Sequence, residues 1–304
     1  MSPPADVLSI VVVTYDQERE LPRTLRSLTA PYQRDPGPGG VEVIVVDNGS
    51  TRAVADVLAP DLISRVRVHR VEAASASPAQ AANLGIELAQ GDLVGLIVDG
   101  ARMASPGLLR TARLAARLAP TAVVTAPAWH LGPDLQTQAS TTGYDQAAED
   151  ALLAGCAWEA DGYNLFSIAS PAASSGRGLF GPMGESSSLF LRRAVWTQLG
   201  GLDERFALPG GGLVNHDVYR RACALADAQL VVVIGEGTFH QIHGGAATSG
   251  RVPRDEMRAD YEAICGEPHQ PPANHPIFVG TAPPQYLPFV RASIGLAEAA
   301  APRR

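Results

Sequence analysis

Asp99 ends the apolar run "LVGLIV" and is followed by Gly100, Ala101 and Arg102. A carboxylate at the end of a buried strand suits two tasks: holding a divalent cation, or accepting hydrogen bonds from a sugar. Such acids usually come in pairs, because ligand charge tunes how tightly a hard cation is held. Here the second acid is missing, and the sequence poses the question of what stands in for it. Two further polar turns end apolar runs in the same way: "TYDQ" (Thr14 to Gln17) and "DNGS" (Asp47 to Ser50). Their hydroxyl, carboxylate and amide groups can donate to and accept from a polar ligand.

The elements that must position these turns are legible from pattern. "LSIVVV" (residues 8–13) and "VEVIVVD" (41–47) are continuous apolar runs rich in β-branched side chains, which predicts strands buried on both faces. "LVGLIVD" (93–99) is a third such strand, and "RVRVHRV" (65–71) a weaker one. Between them, Leu21, Leu25 and Leu28 recur at helical spacing. "SPAQAANLGIELAQG" predicts a helix with Ser77 as N-cap and Pro78 at the first helical position, ending at Gly91. A further helix starts near Pro106. Strands alternating with helices imply right-handed crossovers and a mainly parallel sheet. Ligands bind such sheets outside the carboxyl ends of the strands. Thr14, Asp47, Asn48 and Asp99 are therefore expected along one rim.

Beyond this the pattern loosens. Residues 127–182 are rich in Ala, Ser and Gly with scattered aromatics, among them Trp129, Tyr144, Trp158, Tyr163 and Phe166. Order returns as a strand and helix in "SSSLFLRRAVWTQLGGLDERF", a glycine-rich turn and helix in "GGGLVNHDVYRRACALA", and a final strand in "AQLVVVIG". From about Arg251 the chain reads as a tail wrapped on the body.

The 304 residues carry a net charge of −7, which leaves no footprint for general nucleic-acid binding. With 46% hydrophobic and 18% charged residues the composition is that of a globular protein. Three cysteines (Cys156, Cys223, Cys265) without a CxxC spacing predict neither a disulfide framework nor a thiolate zinc site. No apolar run reaches the roughly 18 residues of a membrane span, and the N-terminus has no basic leader. The expectation is a soluble cytoplasmic protein, with peripheral attachment to the inner membrane face left open.

The stretches "SIVVVTYDQERELPRTLRSL", "EVIVVDNGST", "AANLGIELAQGDLVGLIVD", "SLFLRRAVWTQLGGLDERF" and "HDVYRR" occur in that order over residues 8–245. Together they resemble the family-2 glycosyltransferases of the GT-A fold, an α/β architecture with a Rossmann-like, mostly parallel sheet. The resemblance implies inverting transfer of a sugar from a nucleotide diphosphate donor (UDP-, GDP- or TDP-sugar) to an acceptor hydroxyl. Three parts follow: a nucleotide-sugar-binding half (1–115), an acceptor-binding and catalytic half (116–250) and a C-terminal tail (251–304). Thr14, Tyr15 and Asp16 match the first donor turn, Asp47 and Asn48 the second, and Asn83, Asp99 and Gly100 complete the donor set.

Asp99 matches the first acid of the family's Asp-x-Asp metal motif, and Ala101 stands in the place of the second. In "FHQIHGG", His243 matches the histidine that completes the metal site in many GT-A enzymes. His240 is a second imidazole nearby. A sparse Mg²⁺ or Mn²⁺ site of Asp99, His243 and the donor diphosphate is the expectation, with Arg102 or Arg177 neutralising the diphosphate if no metal serves. Asp217 matches the acid of the family's Glu-Asp pair and is expected to be the general base, with His216 beside it. Glu185, Trp158 and Tyr163 are weaker candidates for touching the sugars. Three rivals were weighed. A sugar nucleotidyltransferase would have glycine and lysine after the first strand, where "TYDQERE" has neither. A dehydrogenase would have GxGxxG, which is absent. A non-catalytic nucleotide-sugar-binding relative is the third, kept open by Ala101.

Overall fold

The computed structural model describes residues 6–184, 187–245 and 251–301. Its strands are β1 (Leu8–Thr14), β2 (Val41–Asp47), β3 (Arg67–Arg70), β4 (Leu93–Ile97), β5 (Arg102–Ala104), β6 (Ala122–Thr125), β7 (Ala128–Leu131), β8 (Ala169–Pro171), β9 (Leu189–Arg192), β10 (Gln229–Ile234), β11 (Thr238–His240) and β12 (Ile277–Gly280). The helices are α1 (Leu21–Leu28), α2 (Val54–Val57), α3 (Pro60–Ile63), α4 (Ala79–Leu88), α5 (Leu108–Ala115) and α6 (Gln136–Ala139). After them come α7 (Gln146–Gly155), α8 (Arg193–Leu199), α9 (Val214–Cys223), α10 (Arg254–Cys265) and α11 (Leu287–Ala300).

A main sheet runs in the order β12-β10-β6-β9-β4-β1-β2-β3. It is parallel throughout except at β9, which is antiparallel to β4 and β6. All seven residues of β1 are buried, as a strand covered on both faces requires. One apolar core lies on each face, the first around Val11, Ile44 and Trp196, the second around Ile10, Leu25 and Phe190. Helix α4 approaches the sheet closely because its buried face is Ala79, Ala81, Ala82 and Gly85. A Cβ on Gly85 would lie 2.3 Å from a methyl carbon of Val11, so only glycine permits this contact. The helix begins one residue later than expected, but the Ser77 hydroxyl still accepts from the Ala79 amide at 3.3 Å.

A second sheet, β5-β11-β7-β8, was not anticipated from the pattern. Nor is β10 the final strand. The segment expected to be a tail adds β12 to the main sheet beside β10, and its Tyr286 and Phe289 pack on Trp129 at ring distances of 5.9 and 4.8 Å. The three cysteines are free thiols. Among the described residues no helix is long and apolar enough to cross a membrane.

Candidate active site

Parallel register brings the three polar turns together. Thr14 pairs with Asp47, and Val12 pairs with Ile97, which brings Asp99 up beside Thr14. The Thr14 hydroxyl donates to Gln17 Oε1 at 2.9 Å, and Gln17 Nε2 donates to Asp99 Oδ1 at 2.5 Å. Gly100 makes this possible: a Cβ there would lie 2.5 Å from Gln17 Oε1 and 2.7 Å from Thr14 Oγ1. The Asp99 carboxylate also accepts from the Ala101 amide at 2.9 Å. Ala101 is fully buried and meets the acid through this backbone amide.

The second sheet supplies the imidazoles. In its register His240 on β11 lies between Arg102 of β5 and His130 of β7. His240 Nε2 stands 2.7 Å from Asp99 Oδ2, and His243 Nε2 stands 3.2 Å from the same oxygen. The two Nε2 atoms are 3.1 Å apart, and Gln17 Nε2 is 3.3 Å from His243 Nδ1. Asp99, His240 and His243 thus offer three ligand atoms within 4.8 Å of one another, a set that could hold a metal ion.

Electrostatics matches this geometry. Burial pushes His240 down to about 4, against the pull of Asp99. Burial opposes the ionisation of Asp99, but His243 and His240 beside it hold its carboxyl well below the usual range. Burial also works to lower His243, and Asp99 overrides it, raising the pKa. His130 is pushed down to about 3 by burial, and its Nδ1 accepts from the Gln136 amide at 3.0 Å.

The loop from His240 to His243 is clamped residue by residue. Gln136 Oε1 meets His240 Nδ1 at 2.6 Å, and Gln136 Nε2 donates to the His240 carbonyl at 2.9 Å. Gln241 donates its side-chain amide to the Glu20 carbonyl at 3.1 Å and its backbone amide to the Ala101 carbonyl at 2.8 Å. Ile242 donates its amide to Glu149 at 2.8 Å and accepts at its carbonyl from Arg19 at 3.2 Å. Gln17, Gln136, Glu149 and Arg19 were not singled out in the sequence. No sequence signal marks them; in the fold Gln136 is 1% and Glu149 0% exposed.

The other expected residues divide. Asp47 is buried, accepts from the Ser50 amide at 2.8 Å and pairs with Arg70 at 2.6 Å. Asn48 donates to the Ser75 carbonyl at 2.8 Å, while its buried Oδ1 has no partner. Tyr15 is 59% exposed on the rim. Asp16, at φ +50°, accepts from the Thr51 amide at 2.6 Å and thereby ties the first turn to the second. Asn83 is not aimed at the rim: its amide is spent on the Leu202 amide and carbonyl and on Glu204, fixing the loop after α8.

Asp217 departs most from expectation. Its side chain is 3% exposed, pairs with Arg221 at 2.7 Å and accepts from the Cys265 thiol at 3.7 Å. Arg221 in turn donates to the Leu199 and Gly201 carbonyls, both at 2.8 Å. That arrangement fixes α9 to α8 and engages both carboxylate oxygens within the protein. His216 rests edge-on against His269, with ring centroids 4.8 Å apart. Trp158 and Tyr163 belong to the aromatic core, Tyr163 donating to Glu236 at 2.7 Å. Arg102 flanks the cluster on β5 and adds positive charge to it, whereas Arg177 lies exposed on a loop with no contact to the cluster among the hydrogen bonds described. Glu185 lies outside the described residues. A cavity of about 310 Å³ lined by Arg26, Tyr32, Arg65 and Trp158 shares no residue with the cluster.

Comparison with known proteins agrees with this geometry. Residues 9–124 match the family described as Glycosyl transferase family 2. Among solved structures, S. aureus TarS 1-349 in complex with UDP aligns with a TM-score of 0.50 and 14% identity, covering 84% of this chain and 65% of that one. The same protein in complex with UDP-GlcNAc gives 0.53 and 15%, covering 84% and 66%. This chain spans 42% of the longer S. aureus TarS structure, at a TM-score of 0.50 and 14% identity over 85% of its own length. No curated protein sequence matches the chain. At such identities the structural likeness speaks for the fold, an α/β architecture of the GT-A kind, and the family match speaks for residues 9–124, under half of the chain.

Proposed function

We propose that the chain transfers a sugar from a nucleoside diphosphate donor to an acceptor hydroxyl, with inversion at the sugar. The observation that carries this reading is the convergence on one rim of a nucleoside-sized row of polar groups and a cation-binding cluster. Thr14, Asp47 and Asn48 would hold the nucleoside, with exposed Tyr15 against its face. A divalent ion, Mg²⁺ or Mn²⁺ in the expectation above, would be held by Asp99, His240 and His243 and would neutralise the leaving diphosphate. The residues fit such an ion. Two imidazoles and a carboxylate converge there, His240 Nδ1 held by Gln136 Oε1 at 2.6 Å and its Nε2 standing 2.7 Å from Asp99 Oδ2. Arg102 adds positive charge beside the same place.

Asn48 narrows the base. Its NH₂ is already used by the Ser75 carbonyl, and the remaining buried Oδ1 calls for an N–H donor. The imide edge of uracil or thymine, or the N1–H edge of guanine, meets that demand. Cytosine and adenine offer a ring acceptor at the equivalent position. The TarS structures with UDP and UDP-GlcNAc favour uridine among these.

A panel of UDP-, GDP- and TDP-sugars with Mn²⁺, followed by nucleoside diphosphate release, tests the reading. We expect turnover with one of the three, and in Asn48→Ala a donor affinity about tenfold lower, the worth of one buried hydrogen bond. Absence of binding to every nucleotide sugar would overturn it.

A further inference from the structure

We infer that the cavity of about 310 Å³ between α1, α3 and the segment after α7 is a second binding site, for a small molecule with an anionic head on a ring-sized apolar body. Its volume lies at the low end of the roughly 300–1,000 Å³ of small-ligand sites. Four separate parts of the chain build it: Arg26 on α1, Tyr32 in the turn that follows, Arg65 just after α3, and Trp158 beyond α7. None of these residues belongs to the rim or to the Asp99 cluster.

The apolar wall is fixed by two contacts. Tyr32 donates its hydroxyl to the Ala104 carbonyl at 2.9 Å, which pins the ring. A Cβ on Gly162 would lie 2.0 Å from that hydroxyl oxygen, so glycine lets the segment after Trp158 pass against the pinned ring. Trp158 is 6% exposed, and its ring stands 5.8 Å from that of Tyr32 at an angle of 59°. Two tilted rings make a corner that a third ring can enter edge-to-face.

The charged wall is arginine. Arg65 donates Nε to the Asp61 carbonyl at 3.0 Å and Nη1 to the Ala30 carbonyl, which orients the guanidinium. Carbonyls leave its charge unneutralised, and Nη2 has no hydrogen bond among the described residues. Arg26 stands 3.6 Å from Glu159, too far for a good hydrogen bond, and both side chains are largely in solvent. Arg34 is more committed, paired with Asp161 at 3.0 Å and set over the Tyr163 ring. Three arginines and two carboxylates line the cavity, in a chain whose net charge is −7. Guanidinium forks match the oxygens of a phosphate or a carboxylate. A bare anion would leave the ring corner empty, and a purely apolar molecule would leave Arg65 unanswered.

The full chain, without added metal, is titrated calorimetrically with phenyl phosphate, benzoate, inorganic phosphate and phenol. Trp158 reports the place, because Trp129 and Trp196 do not line the cavity: binding should change tryptophan fluorescence in wild type and not in Trp158→Phe. Phenyl phosphate or benzoate should bind at least about tenfold tighter than inorganic phosphate and phenol, and whichever of the two binds better identifies the head group. Arg65→Gln and Arg26→Gln, both at exposed positions, should each weaken that ligand by about tenfold. Asn48→Ala, on the rim, should bind it as wild type does. Four results would overturn the inference: no saturable binding of phenyl phosphate or benzoate, inorganic phosphate binding as tightly as either, full affinity in both arginine variants, or loss of binding in Asn48→Ala.

Discussion

Replacing Asp217 by Asn separates a structural carboxylate from a catalytic one. The acid is 3% exposed and meets Arg221 Nε at 2.7 Å, while Arg221 closes two further bonds to the Leu199 and Gly201 carbonyls. A hydrogen bond between charged groups is worth about 1.5–3 kcal/mol. Two features reduce the loss. Asparagine keeps the shape and can still accept from the guanidinium, and Arg221 is 28% exposed, so water can screen its charge. About 1–2 kcal/mol of stability should therefore disappear, which in a large domain lowers Tm by roughly 3–6 °C. The assay pairs thermal unfolding by circular dichroism with sugar transfer at 25 °C, well below the transition. Transfer should fall less than about fivefold. A general base removed by the same change would cost on the order of 10²–10⁴ in rate with little change in Tm. That second pattern would refute the reasoning and return Asp217 to the chemistry. If the first pattern holds, His216, in the same first turn of α9, is the next residue to substitute.

Glu149 carries a pH prediction. Its carboxyl is raised from 4.5 to about 7, burial outweighing the hydrogen bonds from Ile242 and Arg19. The folded form thus keeps a proton that the unfolded form gives up across this window, so stability falls as pH rises through it, by at most about 3 kcal/mol. Urea unfolding at pH 5 and pH 8 should show this slope in wild type and lose it in Glu149→Gln; a slope unchanged in the variant would contradict it. Gly100→Ala should cost about 1–3 kcal/mol by overpacking, since the added carbon meets Thr14 on the strand and Gln17 at 2.5 Å. The same variant should weaken Mn²⁺, because Gln17 is the group able to yield and it would leave Asp99. Stability within about 0.5 kcal/mol of wild type would show that the turn has more room than this.

The rim of polar turns was legible because its signal is local. β1, β2 and β4 are continuous β-branched runs that stop at a polar residue, and parallel register aligns those stops without help from the rest of the chain. The Asp217 ion pair carries a local signal that the sequence reading did not use: an acid four residues before an arginine shares one helix face with it. The second sheet was not legible because β5 and β11 have three residues each, too few for a period to show. Gln136 and Glu149 lie in the patternless stretch 127–182, where neither propensity nor spacing distinguishes a buried polar side chain from a solvated one.

That stretch lies within the half expected to bind the acceptor, and it does something else as well. Gln136 holds the His240 ring at Nδ1, Glu149 holds the Ile242 amide, and Trp129 packs in the aromatic core against Phe239. Each contact crosses more than ninety positions of sequence in the first two cases, so no window along the chain contains both partners. The consequence is a constraint on change. A substitution in 127–182 that alters acceptor choice but disturbs Gln136 or Glu149 would also loosen the imidazoles. Variation in this segment should be tolerated at exposed Thr141 before it is tolerated at these two buried side chains.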